Sequence, residues 1–184
     1  GGLVPSMGYL PHLEHADLSQ NSLTGPFVFD GPFRSLKGMY ASDNGFTGTM
    51  PRGLPPNLNE LDLSRNQLEG GLVESLCATS SSGSSARTHA LQSLKLDGNS
   101  KLGGAVDGLF SCYTGFQTIS LTSCGLGGSI PSTIGQSTGL VELVLASNDV
   151  TGTIPSEMGL LSTLLLTLDV SFNRLNGTIP TELG

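Results

Sequence analysis

The stretch from Leu140 to Pro155 recurs from Leu165 to Pro180, and weaker copies can be followed back to Leu10. Self-similarity at a period of this size means that one unit is too small to bury its own apolar face, so the units must stack. With the asparagine after each short apolar run as a ruler, the anchors are Asn21, Asn44, Asn66, Asn99, Cys124, Asn148 and Asn173. That gives about seven units of 22–25 residues, with one spacing stretched to 33 between Asn66 and Asn99. Such a stack is a solenoid with a long, shallow surface suited to recognition and no built-in cleft for chemistry.

Each position in the unit has a physical task. The alternating pair before the anchor (Ala16/Leu18, Met39/Ala41, Leu61/Leu63, Leu94/Leu96, Ile119/Leu121, Leu143/Leu145, Leu168/Val170) has the period of two of a short half-buried strand. Stacked, these strands form one parallel concave sheet. The asparagine is expected to turn inward and bond backbone groups left unpaired by the bend, with Cys124 breaking the ladder. A glycine follows at Gly25, Gly48, Gly70, Gly104, Gly128, Gly152 and Gly177, where close approach or positive φ excludes a Cβ. An apolar residue and often proline come next (Val4-Pro5, Met50-Pro51, Ile130-Pro131, Ile154-Pro155, Ile179-Pro180), read as an outer strand edge that proline terminates. Ser6, Ser132, Ser156 and Thr181 then stand where an N-cap would, and Gly8, Gly135, Gly159 and Gly184 where a helix closes, which predicts short 3₁₀ or α turns on the convex side. In units three and four Leu72-Val73 and Val106-Asp107 replace Ile-Pro.

The pattern L-x-x-L-x-L-x-x-N-x-L-x-G-x-I-P-x-x-(L/I/M)-G resembles the plant-type leucine-rich repeat family, seen in receptor-kinase ectodomains and polygalacturonase-inhibiting proteins. The resemblance covers nearly the whole chain. It implies an α/β solenoid and a protein or glycan partner on the concave face, while leaving the partner unnamed because one scaffold serves many.

Composition agrees with a recognition surface and against other classes. Eight basic residues against 15 acidic give a net charge of −7, the wrong sign for a nucleic-acid groove or an anionic membrane surface. No apolar run approaches the roughly 20 residues of a transmembrane helix. Residues 1–184 read as one domain that starts and stops in mid-repeat without polar caps, so further repeats of the same chain are expected at both ends.

The long spacing holds a Ser-rich insertion, residues 78–90, with the composition of a flexible loop. Cys77 and Cys112 occupy corresponding positions in neighbouring units, which stack about 5 Å apart, so a Cys77–Cys112 disulfide is expected; the alternative is three buried thiols in a reducing compartment. Asn176-Gly-Thr178 is the one N-x-S/T sequon, either a glycosylation site or a plain turn asparagine.

Residues flanking the strand leucines point to the concave face. On its N-terminal half Tyr40 is flanked by Asp17, Lys37, Asp62 and Arg65, with Lys95 beyond, a set suited to a polar protein or glycan contact. Toward the C-terminus Val141, Val144, Leu166 and Phe172 are read as an apolar contact patch, unless the extra residue in Leu164–Leu168 shifts the register and sends one leucine into the core.

Catalytic readings fare poorly. Gly135-Gln-Ser137-Thr-Gly139 matches G-x-S-x-G but precedes a strand instead of following one, and no histidine lies in an adjacent unit. His12 and His15 straddle a strand start where they need not converge on a metal, and no phosphate loop or C-x-x-C occurs. No enzyme activity, metal or cofactor is expected. The expected function is extracellular recognition of a protein or glycan, at the cell surface or secreted. Two alternatives are a structural or adhesive component of a surface assembly, and an ice-binding face of outer threonines (Thr47, Thr49, Thr151, Thr153, Thr178) interrupted by Glu69, Gly103 and Gly127.

Overall fold

The computed structural model describes residues 9–51, 53–76, 90–161 and 163–184. Twelve short strands follow one another: β1 (His15–Asp17), β2 (Thr24–Pro26), β3 (Gly38–Tyr40), β4 (Gly45–Gly48), β5 (Glu60–Asp62), β6 (Gln67–Leu68), β7 (Ser93–Lys95), β8 (Thr118–Ser120), β9 (Glu142–Val144), β10 (Thr151–Gly152), β11 (Thr167–Asp169) and β12 (Arg174–Leu175). One strand per unit builds a seven-stranded parallel sheet in the order β1-β3-β5-β7-β8-β9-β11. The pairing has no slip: Ala16, Met39, Leu61, Leu94, Ile119, Leu143 and Leu168 are successive register partners. Period two sends this row into the core, where the residues from Met39 to Leu143 are at most 1% exposed.

The asparagine ladder forms as the repeat demands. Asn66 is typical: its Oδ1 accepts from Phe46 N (2.9 Å) of the preceding unit, and its Nδ2 donates to Ala41 O (2.9 Å) and Leu63 O (3.0 Å). Asn44, Asn99, Asn148 and Asn173 repeat the arrangement. At the break, Cys124 Sγ donates to Leu96 O at 3.2 Å, and burial pushes the thiol up to about 12. The seven glycines have φ between 73° and 100°. The residue just before each anchor is also left-handed: Gln20, Asp43, Arg65, Ser123, Ser147 and Phe172 have φ of 52–57°, and Gly98 has 76°. Only Gly98 marks this second column in the sequence; elsewhere the anchor's bonds hold a conformation that costs a non-glycine residue about 1 kcal/mol.

The convex side carries α1 (Leu72–Leu76), α2 (Val106–Cys112) and 3₁₀ turns at Ser132–Gln136, Ser156–Leu161 and Thr181–Leu183. The α-helices fall in units three and four, where Leu72-Val73 and Val106-Asp107 replace the apolar-proline step. Proline drives the preceding residue out of the α region, so a Pro unit can begin its turn only after the proline, whereas Leu72 and Val106 start helices themselves. The expected caps shift accordingly. Pro131 and Pro180 are the N-caps, without side-chain bonds, and Ser132 and Thr181 are the first turn residues. Gly135 and Gly159 lie inside their 3₁₀ turns and do not close them. A Cβ there would stand 2.8 Å from Glu157 O and 2.7 Å from Glu182 O of the next unit, so close stacking of neighbouring turns requires glycine. Ser6 and Gly8 lie outside the described residues.

The outer strands precede the apolar-proline step instead of containing it, and their register slides by two residues per unit: Thr47 pairs with Gln67, and Thr151 with Arg174. Bridges link Glu69 to Lys101 and Ser129 to Thr151. The Thr-Gly-Thr motifs of successive units therefore do not line up as a flat array. Among the described residues no helix is long and apolar enough to cross a membrane.

Candidate recognition surface

Because the concave strands are in register, side chains facing away from the core form rows running across the units. The central row is Asp17, Tyr40, Asp62, Lys95, Ser120, Val144 and Asp169. Five of the expected contact residues, Asp17, Tyr40, Asp62, Lys95 and Val144, thus share one line. Beside it runs a second row through His15, Gly38, Glu60, Ser93, Thr118, Glu142 and Thr167.

Gly38 explains the pose of Tyr40. A Cβ at Gly38 would meet His15 Nδ1 at 2.5 Å and Tyr40 Oη at 2.8 Å, so both side chains lie over the glycine. From there the phenol donates to Glu60 Oε2 in the next unit. The hydrogen bond it donates to this carboxylate pushes Tyr40 up to about 12, helped by partial desolvation and by the charges of Glu60, Asp17 and Asp62.

The carboxylates are oriented by a device the sequence reading missed. Asp17 accepts from Ser19 N (2.9 Å), Asp62 from Ser64 N (2.9 Å), and Asp169 from Ser171 N (3.0 Å) and Oγ (2.6 Å). The signal was the thrice-repeated Asp-x-Ser, an Asx-type turn following the strand. These bonds hold Asp17 and Asp169 below the usual carboxylate range. Asp97, one step along the chain, accepts from Ser120 Oγ (2.8 Å) and Thr122 N (2.6 Å) of the next unit.

Lys37 and Arg65 lie at the margins and are engaged within the solenoid. Lys37 Nζ sits 2.9 Å from Glu14, and Arg65 grips Asp43 with Nε and Nη2 at 2.5 and 2.6 Å. Both pairs hold their carboxyls below the ordinary range, the hydrogen bond to the cation being the larger cause. A cleft of about 390 Å³ opens beside the first pair, lined by Glu14, Arg34, Ser35, Lys37, Asn57 and Asn59.

The apolar residues are not gathered into one patch. The register resolves Leu164–Leu168: Leu168 aligns with Leu143, Leu165 packs against the core, and Leu166 is 84% exposed beside Val141, whose carbonyl accepts from Leu166 N at 2.8 Å. Phe172, 85% exposed, sits at the opposite margin of the sheet, on the order of 15–20 Å away at ~3.3 Å per residue. Val144 is half-buried between Ser120 and Asp169 in the central row. Asn176 is exposed on the outer edge, its N–H donating to Gly152 O at 2.8 Å. Cys77 lies outside the described residues, as does residue 112 beyond its backbone, which ends α2. Ser137, the serine of G-x-S-x-G, is fully buried.

The leucine-rich repeat family model matches residues 57–78 and 164–184. No curated protein matches the chain significantly in sequence. Among solved structures, a TDR receptor superposes with a TM-score of 0.80 at 26% identity, covering 100% of this chain and 30% of that one. The Arabidopsis receptor kinase HAESA, solved with the peptide hormone IDA and the co-receptor SERK1, gives 0.70 at 25% identity, covering 99% and 33%. A plant ice-binding protein gives 0.58 at 20% identity, covering 98% and 71%, and shares the fold. The chain spans about a third of the length of the receptor structures it matches. It is a leucine-rich repeat solenoid. Its fold is similar to that of plant receptor-kinase ectodomains.

Proposed function

We propose that the chain is a non-catalytic recognition module of a receptor-like protein, working outside the cell and binding a peptide or protein segment along its concave face. The observation that carries this is the face of the seven-stranded sheet on which Asp17, Tyr40, Asp62, Lys95 and Val144 stand in one register row, each of them exposed or half-buried among the described residues. The HAESA structure was solved with a peptide hormone, and a second similar structure is a plant peptide hormone receptor in complex with RGF2, which supports a linear ligand.

The test is a substitution that fills the face without changing its charge. Val144→Trp should leave the fold intact by circular dichroism and abolish retention of partners selected from a randomised peptide library. A glycan array probed in parallel separates the two partner classes. Equal binding of every partner by the wild type and Val144→Trp would overturn the proposal.

A further inference from the structure

We infer that the concave face selects a cationic linear segment of about nine residues, with basic side chains three apart over units one and three and an apolar side chain over unit six. This rests on the concave face being the binding surface, and it goes further by naming the ligand's chemistry.

The concave face carries an excess of negative charge. The two marginal acids Glu14 and Asp43 are cancelled by Lys37 and Arg65. The carboxylates left are Asp17, Glu60, Asp62, Asp97, Glu142 and Asp169, against one ammonium, Lys95, which joins none of the ion pairs found among the described residues. Six against one leaves −5 on this face, out of −7 for the chain, so all other charged residues of the sequence together come to −2. A concave surface of one sign concentrates its field and attracts ligands of the other. The raised phenol of Tyr40 agrees, since Asp17 and Asp62 on either side of it contribute.

The spacing of its acids fits a linear ligand. Asp17 and Asp62 are two strands apart in register, about 10 Å at ~4.8 Å per strand, too far to share one metal ion. That gap matches residues i and i+3 of a polyproline II segment laid across the strands, whose three residues per turn at ~3.1 Å rise put both side chains on the face toward the sheet. Six strand spacings give about 29 Å of face, the length of about nine such residues. Three strands beyond Asp62 the row becomes Val144, next to the buried Ala146, so the ligand's apolar group belongs about five residues from its basic pair.

The experiment pans a randomised nonapeptide display library on the whole chain, on Val144→Trp and on the double variant Asp17→Asn/Asp62→Asn. Asparagine keeps the acceptor used by Ser19 N and Ser64 N, so the double variant should fold, and its melting curve checks this. Peptides retained by the wild type should carry Lys or Arg three apart. A representative synthetic peptide should bind the double variant about three- to tenfold more weakly at about 50 mM salt, the difference shrinking at about 0.5 M. Peptides lost on Val144→Trp yet showing no basic enrichment, and held equally by the double variant, would overturn this inference and leave the concave surface standing. Peptides held equally by Val144→Trp, or no retained peptides at all, would overturn both.

Discussion

Replacing Asn148 by alanine tests what holds the units together. Its Oδ1 accepts from Cys124 N and Leu126 N, both at 3.0 Å, and its Nδ2 donates to Leu121 O (2.7 Å), Leu145 O (2.9 Å) and Ala146 O (3.1 Å). Two of these carbonyls have further donors, Leu145 O from Asn173 Nδ2 and Ala146 O from Ser123 N. Alanine therefore removes the acceptor of two backbone N–H groups in residues that are 0% exposed. At about 1–3 kcal/mol per orphaned buried donor, the loss is about 2–5 kcal/mol, or roughly 5–15 °C in melting temperature for a chain of this size. Asn21 holds the same repeat position on exposed backbone, and among the described residues it bonds Leu18 O and Ser19 O, so Asn21→Ala should cost no more than about 1 kcal/mol. Urea denaturation followed by circular dichroism, with unchanged slope, gives both values on one scale. Equal losses for the two variants, or less than about 1 kcal/mol for Asn148→Ala, would mean that the ladder is not what satisfies the buried backbone.

Cys124→Asn looks like a repair of the ladder and should instead destabilise by about 1–3 kcal/mol; a raised melting temperature refutes this. The N–H an asparagine there would serve, Leu102 N, already donates to Asn99 O at 2.9 Å because unit four has an extra residue after its anchor. In acid, Glu14, Asp17, Asp43 and Asp169 all titrate below their ordinary values of 4.5 and 3.8, so the unfolded chain binds more protons in that window. Their stabilisation is complete above about pH 5 and is lost as pH falls through the folded values; a melting temperature that stays level or rises down to about pH 3 contradicts it. Intact mass of the native protein without reductant, before and after glycosidase, should show a glycan at Asn176 and a Cys77–Cys112 bridge, the bridge stabilising by roughly 3–4 kcal/mol. Unmodified mass with all three thiols free would turn the reading toward an intracellular scaffold.

Much of the fold was legible because it repeats. A glycine that recurs at Gly48, Gly70, Gly128 and Gly152 reports a backbone requirement many times over, and all the glycines in this column have positive φ. The left-handed column before the anchors escaped notice because glutamine, arginine, serine and phenylalanine occupy it. Its conformation belongs to the bend before the anchor, held at Ser123 beside Cys124 as it is beside the asparagines, and not to local preference. The slide of the outer strands was equally hidden. It comes from how successive units are placed, a property of pairs of units that no single repeat encodes, and it breaks up threonines that the aligned sequence places in a column.

The site divides the same way. That Asp17, Tyr40, Asp62, Lys95 and Val144 face away from the core follows from alternation alone, whereas their standing in one row follows from the register between units, which joins Val144 to the polar residues that the sequence places apart from it. Joining Leu166 to Phe172 failed because both are apolar and near in sequence, yet they bracket the strand β11 from its two ends. Distance across a strand grows by ~3.3 Å per residue, while distance between units is only ~4.8 Å, so residues 20 or more apart in sequence can be closer neighbours than residues six apart. A ligand laid along this face meets one residue from each unit in turn. Its specificity is therefore written in the positions that differ between units, Tyr40, Lys95 and Val144 among the aspartates, and not in the repeated residues that make the fold recognisable.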